Sequence, residues 1–113
     1  MQKLWLALVF VLGALFVLEI TSFPRVRREH ARNARIAAEI RMIKSRLESY
    51  KASAGAYPST EQGLAVIGDA PRDPWENEYI YRYPGKFRRE SYDIFSAGRD
   101  RKPDTPDDEW GDD

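Results

Sequence analysis

The 113-residue chain is expected to fold as a single α+β unit: a long N-terminal helix, transmembrane and then amphipathic, packed on a small antiparallel sheet. Three observations point there. Residues 4–20, LWLALVFVLGALFVLEI, form an unbroken apolar run apart from Glu19. Between Ile36 and Tyr50, apolar residues recur at intervals of three and four, the period of one helix face. From Glu78 to Tyr83 the period changes to two, and a second short run with strand character follows at 91–95. So short a chain has room for one small domain beyond its apolar leader.

Residues 1–24 are expected to be a transmembrane anchor or stalk. The apolar run reaches about 25 Å as a helix, enough to span a thin bilayer. It is longer than the apolar region of a usual signal peptide, and no A-x-A site follows it, so it is expected to stay uncleaved. The flanking charges favour a cytoplasmic head, because Arg25, Arg27, Arg28, Arg32 and Arg35 follow the run and only Lys3 precedes it. Pro24 either kinks a continuous helix or starts a new one, since it has no amide to donate.

Residues 25–55 are predicted to be an amphipathic helix with Ile36, Ile40, Ile43, Leu47 and Tyr50 on one stripe. Gly55 suits a left-handed cap and Pro58 closes the exit. Residues 56–77 read as a short helix and loop, with Ser59 and Gln62 spaced as a capping box and the helix running to about Val66. Over 78–98 a small sheet is expected, with EYIYRY at 78–83 and SYDIF at 91–95 joined through PGK turn residues. Tyr79, Tyr81 and Tyr83 share one face of the first strand, and Glu78, Ile80 and Arg82 the other. Residues 99–113 are acidic, and by composition alone cannot bury a core.

Charge is zero overall but uneven. Between Arg25 and Lys51 nine Lys and Arg stand against three Glu, whereas from Ala52 onward eight stand against fourteen Asp and Glu. The two parts could attract each other within a molecule or between copies. The absence of cysteine excludes disulfides, thiolate metal sites and thiol catalysis. There is no Ser/His/Asp set, phosphate cradle or metalloprotease motif, and no enzymatic activity is expected. The single histidine, His30, lies among arginines and reads as solvated. The tyrosines fit cross-strand packing better than base stacking, and nucleic acid is not an expected partner. Asp73-Pro74-Trp75 reads as architecture, with a capping carboxylate and a large apolar side chain.

The blocks ARIAAEIRMIKSRLESYKASAGAYPSTEQGL, DPWENEYIYRYPG and YDIFSAGRD, in that order, resemble the major, G-type pseudopilin of bacterial type II secretion systems over roughly residues 31–109. The resemblance implies a type IV pilin-like fold. It also implies a structural role in a pseudopilus that supports protein export across the outer membrane. The expected partners are copies of itself, minor pseudopilins, the inner-membrane secretion platform and membrane lipid. The expected location is the bacterial inner membrane, single-pass, with the head in the periplasm, against the direction of the flanking arginines.

The resemblance further implies a C-terminal calcium loop. The matching positions are the carboxylates of Asp100, Asp107 and Asp108 and the backbone carbonyls of Ala97, Lys102 and Thr105. Oxygen-only donors on a flexible loop suit Ca2+. Arg99, Arg101 and Lys102 in the same loop are basic where the family usually has small residues at the first two. Two further departures stand out. No basic, Gly-terminated leader precedes the apolar run, although Ala14, Leu15 and Glu19 imitate its spacing, and a Trp-x-Gly-Pro-Tyr element is missing between GLAVIG and DPW. The alternative reading is a membrane-anchored binding module, or a non-polymerising paralogue, whose basic juxtamembrane helix holds anionic lipid or DNA.

Overall fold

A computed structural model describes residues 2–111, with side chains from residue 24 onward. The chain divides into two compact units, residues 1–32 and 33–113. Helix α1 runs without a break from Gln2 to Ala54, with Pro24 inside it. Of the two alternatives at Pro24, the helix continues. Among the residues with described side chains, no helix is long and apolar enough to cross a membrane, and the anchor expected at 4–20 lies outside them.

In the second unit, four of the five predicted stripe residues are buried, Ile36, Ile40, Ile43 and Leu47 each no more than 1% exposed, while Tyr50 at the end of the stripe is only half-buried. Arg41, Met42, Ser45 and Glu48 lie on the solvent side. Gly55 ends the helix at φ +88, with its amide on the Lys51 carbonyl at 2.8 Å, a left-handed cap that a side chain would strain. The capping box forms as the sequence predicts, Ser59 N donating to Gln62 Oε1 at 2.9 Å and Gln62 N to Ser59 Oγ at 3.1 Å. It opens onto a turn and a 3-10 helix, Gly63–Ile67, rather than an α-helix. The reason is local, since Gly63 takes φ +61, which interrupts a right-handed run from the capped turn at 59–62 and leaves only the short 3-10 segment after it.

Strands β1 (Ile80–Arg82) and β2 (Asp93–Phe95) pair antiparallel, with Ile80 opposite Phe95, Tyr81 opposite Ile94 and Arg82 opposite Asp93. Both are shorter than their sequence patterns. Glu78 bridges to Arg72 instead, and the Thr60 hydroxyl accepts the Tyr83 amide and donates to the Tyr83 carbonyl, each at 3.0 Å, so the ladder ends at Arg82. One sheet face lays Tyr79, Tyr81, Tyr92 and Ile94 on the helix stripe. The Tyr79 hydroxyl donates to Glu39 at 2.6 Å and the Tyr81 hydroxyl to the Pro58 carbonyl at 2.7 Å, so the buried phenols keep partners. Burial first, and then the Glu39 bond, push the Tyr79 phenol up.

The other face carries Phe95, Asp93 and Arg82, covered by residues 84–91 and the C-terminal segment. Here composition misleads. Ser96 and Glu109 exchange backbone hydrogen bonds of 2.9 Å each way, and Trp110 stacks on Phe95 with ring centres 4.5 Å apart. Gly111 lies so close to α1 that a Cβ would meet Ile40 Cδ1 at 3.0 Å. The acidic tail therefore closes the core.

Candidate functional site

The acidic loop leaves β2 at Ser96 and returns at Glu109. Its base is fixed by two of the sequence words. The buried Asp73 of DPW accepts the Trp75 and Asn77 amides on Oδ1, at 3.0 and 2.8 Å, and the Ser96 hydroxyl on Oδ2 at 2.6 Å. Ser96 Oγ in turn accepts the Gly98 amide at 3.1 Å. Gly98 is required here, because it sits at φ +78 and a Cβ would overlap the Asp107 carbonyl oxygen and lie 2.8 Å from its Oδ2.

Within the loop, Asp107 Oδ2 accepts the Asp100 amide at 2.8 Å, while Asp100 accepts the Lys102 amide at 2.9 Å and the Thr105 hydroxyl at 2.6 Å. Asp108 Oδ2 accepts the amides of Asp104, at 2.8 Å, and Thr105, at 3.3 Å. Its other oxygen, Oδ1, is shielded from solvent and has no hydrogen-bond partner. Burial pushes the Asp108 carboxyl up, and the Asp104 and Asp100 charges add to this against the two amides. The Thr105 hydroxyl and then the Lys102 amide hold Asp100 below the usual carboxylate value.

The six residues implied by the resemblance thus share one loop. Asp100, Lys102, Thr105 and Asp107 are joined by hydrogen bonds, Asp108 lies against Thr105, and Ala97 is buried beside Gly98 at the base. Among the described residues, no three acidic or histidine side chains converge as a ready-made metal cage. A cation held here would draw on main-chain carbonyls as well. The donor chemistry fits a hard cation, because every donor is an oxygen and Asp108 Oδ1 is a shielded carboxylate oxygen lacking a positive partner.

Two residues that sequence reasoning passed over matter here, Arg82 and Asp93. Arg82 Nη2 lies 3.0 Å from Asp93 Oδ2, and its Nη1 lies 3.0 Å from each Asp104 oxygen. Their signal in the sequence is a charge on each strand, Arg82 between tyrosines and Asp93 beside Ile94 and Phe95.

The family model described as type II secretion system protein G matches residues 25–71 and 65–111. The chain belongs to that family. The two matches meet near GLAVIG and DPW, where the Trp-x-Gly-Pro-Tyr element is missing. The core protein G of Dickeya chrysanthemi is 31% identical, over 91% of this chain and 78% of that protein. The Escherichia coli K12 relative is 28% identical, over 94% and 86%. The crystal structure of the major pseudopilin from the type 2 secretion system of enterohaemorrhagic Escherichia coli superposes with a TM-score of 0.66, at 28% identity. It covers 74% of this chain and 84% of that one. The chain has the pseudopilin fold and is a structural subunit of type II secretion, in a family of structural proteins rather than enzymes. The alternative of a lipid- or DNA-binding module gains no support from these relatives.

Proposed function

We propose that this protein G relative is a building block of a pseudopilus. It stacks with copies of itself and with minor pseudopilins on an inner-membrane platform, and supports protein export across the outer membrane. The chain is single-pass in the inner membrane with its head in the periplasm. The observation that carries this is the match of one family over residues 25–111, together with a head built as in a major pseudopilin. Deleting the gene in its own host is expected to block secretion, and the chain supplied in trans to restore it. Because the chain lacks cysteine, a single cysteine introduced at an exposed helix position such as Ala34 should cross-link neighbouring copies into covalent dimers. Undisturbed secretion after deletion would overturn the reading.

The acidic loop is the calcium site of this subunit. Asp100, Asp107 and Asp108 would supply carboxylates, and Ala97, Lys102 and Thr105 backbone carbonyls. The shielded, unpartnered Asp108 Oδ1 supports this. When bound, the ion neutralises clustered carboxylates and ties the loop to the sheet, so folding and binding are linked. The full chain in detergent should melt at a higher temperature with calcium than with chelator, and equal melting temperatures would remove the proposal.

A further inference from the structure

Arg82 stands at the junction of β1, β2 and the acidic loop. Its guanidinium contacts Asp93 at 3.0 Å and both oxygens of Asp104 at 3.0 Å, and Lys86 Nζ reaches Asp104 Oδ2 at 3.4 Å. The Arg82 side chain is 19% exposed and lies over the Phe95 and Phe87 rings, 5.0 and 5.6 Å from their centres. A forked, partly desolvated contact of this kind holds its geometry better than an ordinary surface ion pair.

What Arg82 holds is mechanically coupled to the loop. Asp104 takes φ +65, an uncommon conformation for a residue with a side chain, and its amide donates to Asp108 Oδ2 at 2.8 Å. Fixing the Asp104 carboxylate therefore fixes the turn that carries Asp108. Four aspartates, at 100, 104, 107 and 108, share this loop, and like charges so close oppose its closure.

We propose that Arg82 is a built-in counter-ion for the acidic loop: it neutralises Asp104 and keeps the 104–108 turn closed when no divalent cation is bound. The head then depends on calcium only in part. This inference rests on the calcium reading, and the two are separable by experiment. If Arg82 were merely structural, replacing it would weaken the calcium-bound and calcium-free states alike. A counter-ion is missed most in the calcium-free state, where only the more exposed Lys86, 3.4 Å from Asp104, shares its task.

The test is thermal unfolding of the full chain in detergent, with calcium and with chelator, for wild type, Arg82→Gln, Arg82→Lys and Asp104→Asn. Arg82→Gln should lower the melting temperature in chelator more than in calcium, enlarging the calcium-induced rise by about 4 °C or more. Arg82→Lys should return the rise toward the wild-type value. On an Asp104→Asn background, Arg82→Gln should no longer enlarge it, since the charge it offsets is gone. Loss of the Asp93 contact lowers both states together and cancels in the difference. Should Arg82→Gln fail to fold in chelator, Asp104→Asn alone should show a smaller calcium-induced rise than wild type, and an unchanged rise would overturn the proposal. Equal rises in wild type and Arg82→Gln overturn the counter-ion role and leave the calcium site standing. No rise in any variant removes the calcium reading, and this inference with it.

Discussion

Asp93 is a fully buried carboxylate at the start of β2, and four donors surround it. The amides of Lys86, Phe87 and Arg88 lie 2.7, 3.1 and 2.9 Å from its oxygens, and Arg82 lies at 3.0 Å. Burial alone would push its carboxyl up, but these bonds outweigh it and hold it below its ordinary value of 3.8. Because the folded value is the lower one, the stabilisation is complete above about pH 3.8 and is lost as pH falls through the folded value. Asp93→Asn should cost about 3 kcal/mol at neutral pH, because an amide nitrogen would face donors it cannot accept from. Urea titrations of both chains across the acid range would show this, with the gap closing below pH 3.8. A gap that stayed constant with pH would show that Asp93 acts by shape alone. The sequence hinted at this carboxylate, set beside Ile94 and Phe95, but three of its partners are backbone amides. Their position depends on how residues 84–91 curl, including Gly85, where a Cβ would meet Asp93 Oδ1 at 2.5 Å. No spacing rule conveys that.

At the scale of elements, what was legible is what has a period. The stripe Ile36, Ile40, Ile43 and Leu47 was readable because a helix must bury residues three and four apart, and all four are buried. The capping box was readable because it depends on one short spacing. Strand length was not, since the ends of β1 are set by Thr60 and Arg72, residues distant in sequence or on another loop. The 3-10 form of 63–67 was likewise hidden in the conformation of a single glycine. The stripe gives a direct contrast within one helical turn. Ile43→Ala should cost about 3 kcal/mol, because a fully buried side chain leaves a cavity between α1 and the sheet. Its neighbour Met42, 37% exposed, should change stability by no more than about 0.5 kcal/mol when replaced by Ala. Chemical denaturation followed by circular dichroism would measure both, and comparable losses would mean that the stripe does not carry the head's stability.

For the molecule as a whole, the deciding question is how so small a head is closed. Its sheet has two strands, which alone would be marginal, and helix α1 covers only one face. The other face is closed by the segment whose composition argued for solvent. Six of the last ten residues are Asp or Glu, a pattern that signals a charged tail, and only the resemblance placed a structured loop there. Composition failed because a single aromatic and one backbone exchange suffice to dock the segment. Trp110 stacks on Phe95 and meets Phe87 edge-on at 5.7 Å, while Glu109 pairs with Ser96 as an added fragment of strand. The same docking brings the loop's two ends together, so the aromatic contact would support the proposed calcium site. Trp110→Ala should then lower the stability of the full chain by about 3 kcal/mol. It should also reduce the calcium-induced rise in melting temperature, since the ion would bind a loop whose return limb is loose. Trp110→Phe, keeping a ring over Phe95, should restore most of both. Were the tail a solvated appendage, Trp110→Ala would leave stability within about 0.5 kcal/mol of wild type, the range of ordinary surface substitutions. Amide exchange across 98–109 locates the effect: faster in Trp110→Ala than in wild type, with the helix amides of 36–47 affected less, because the tail opens before the core it covers.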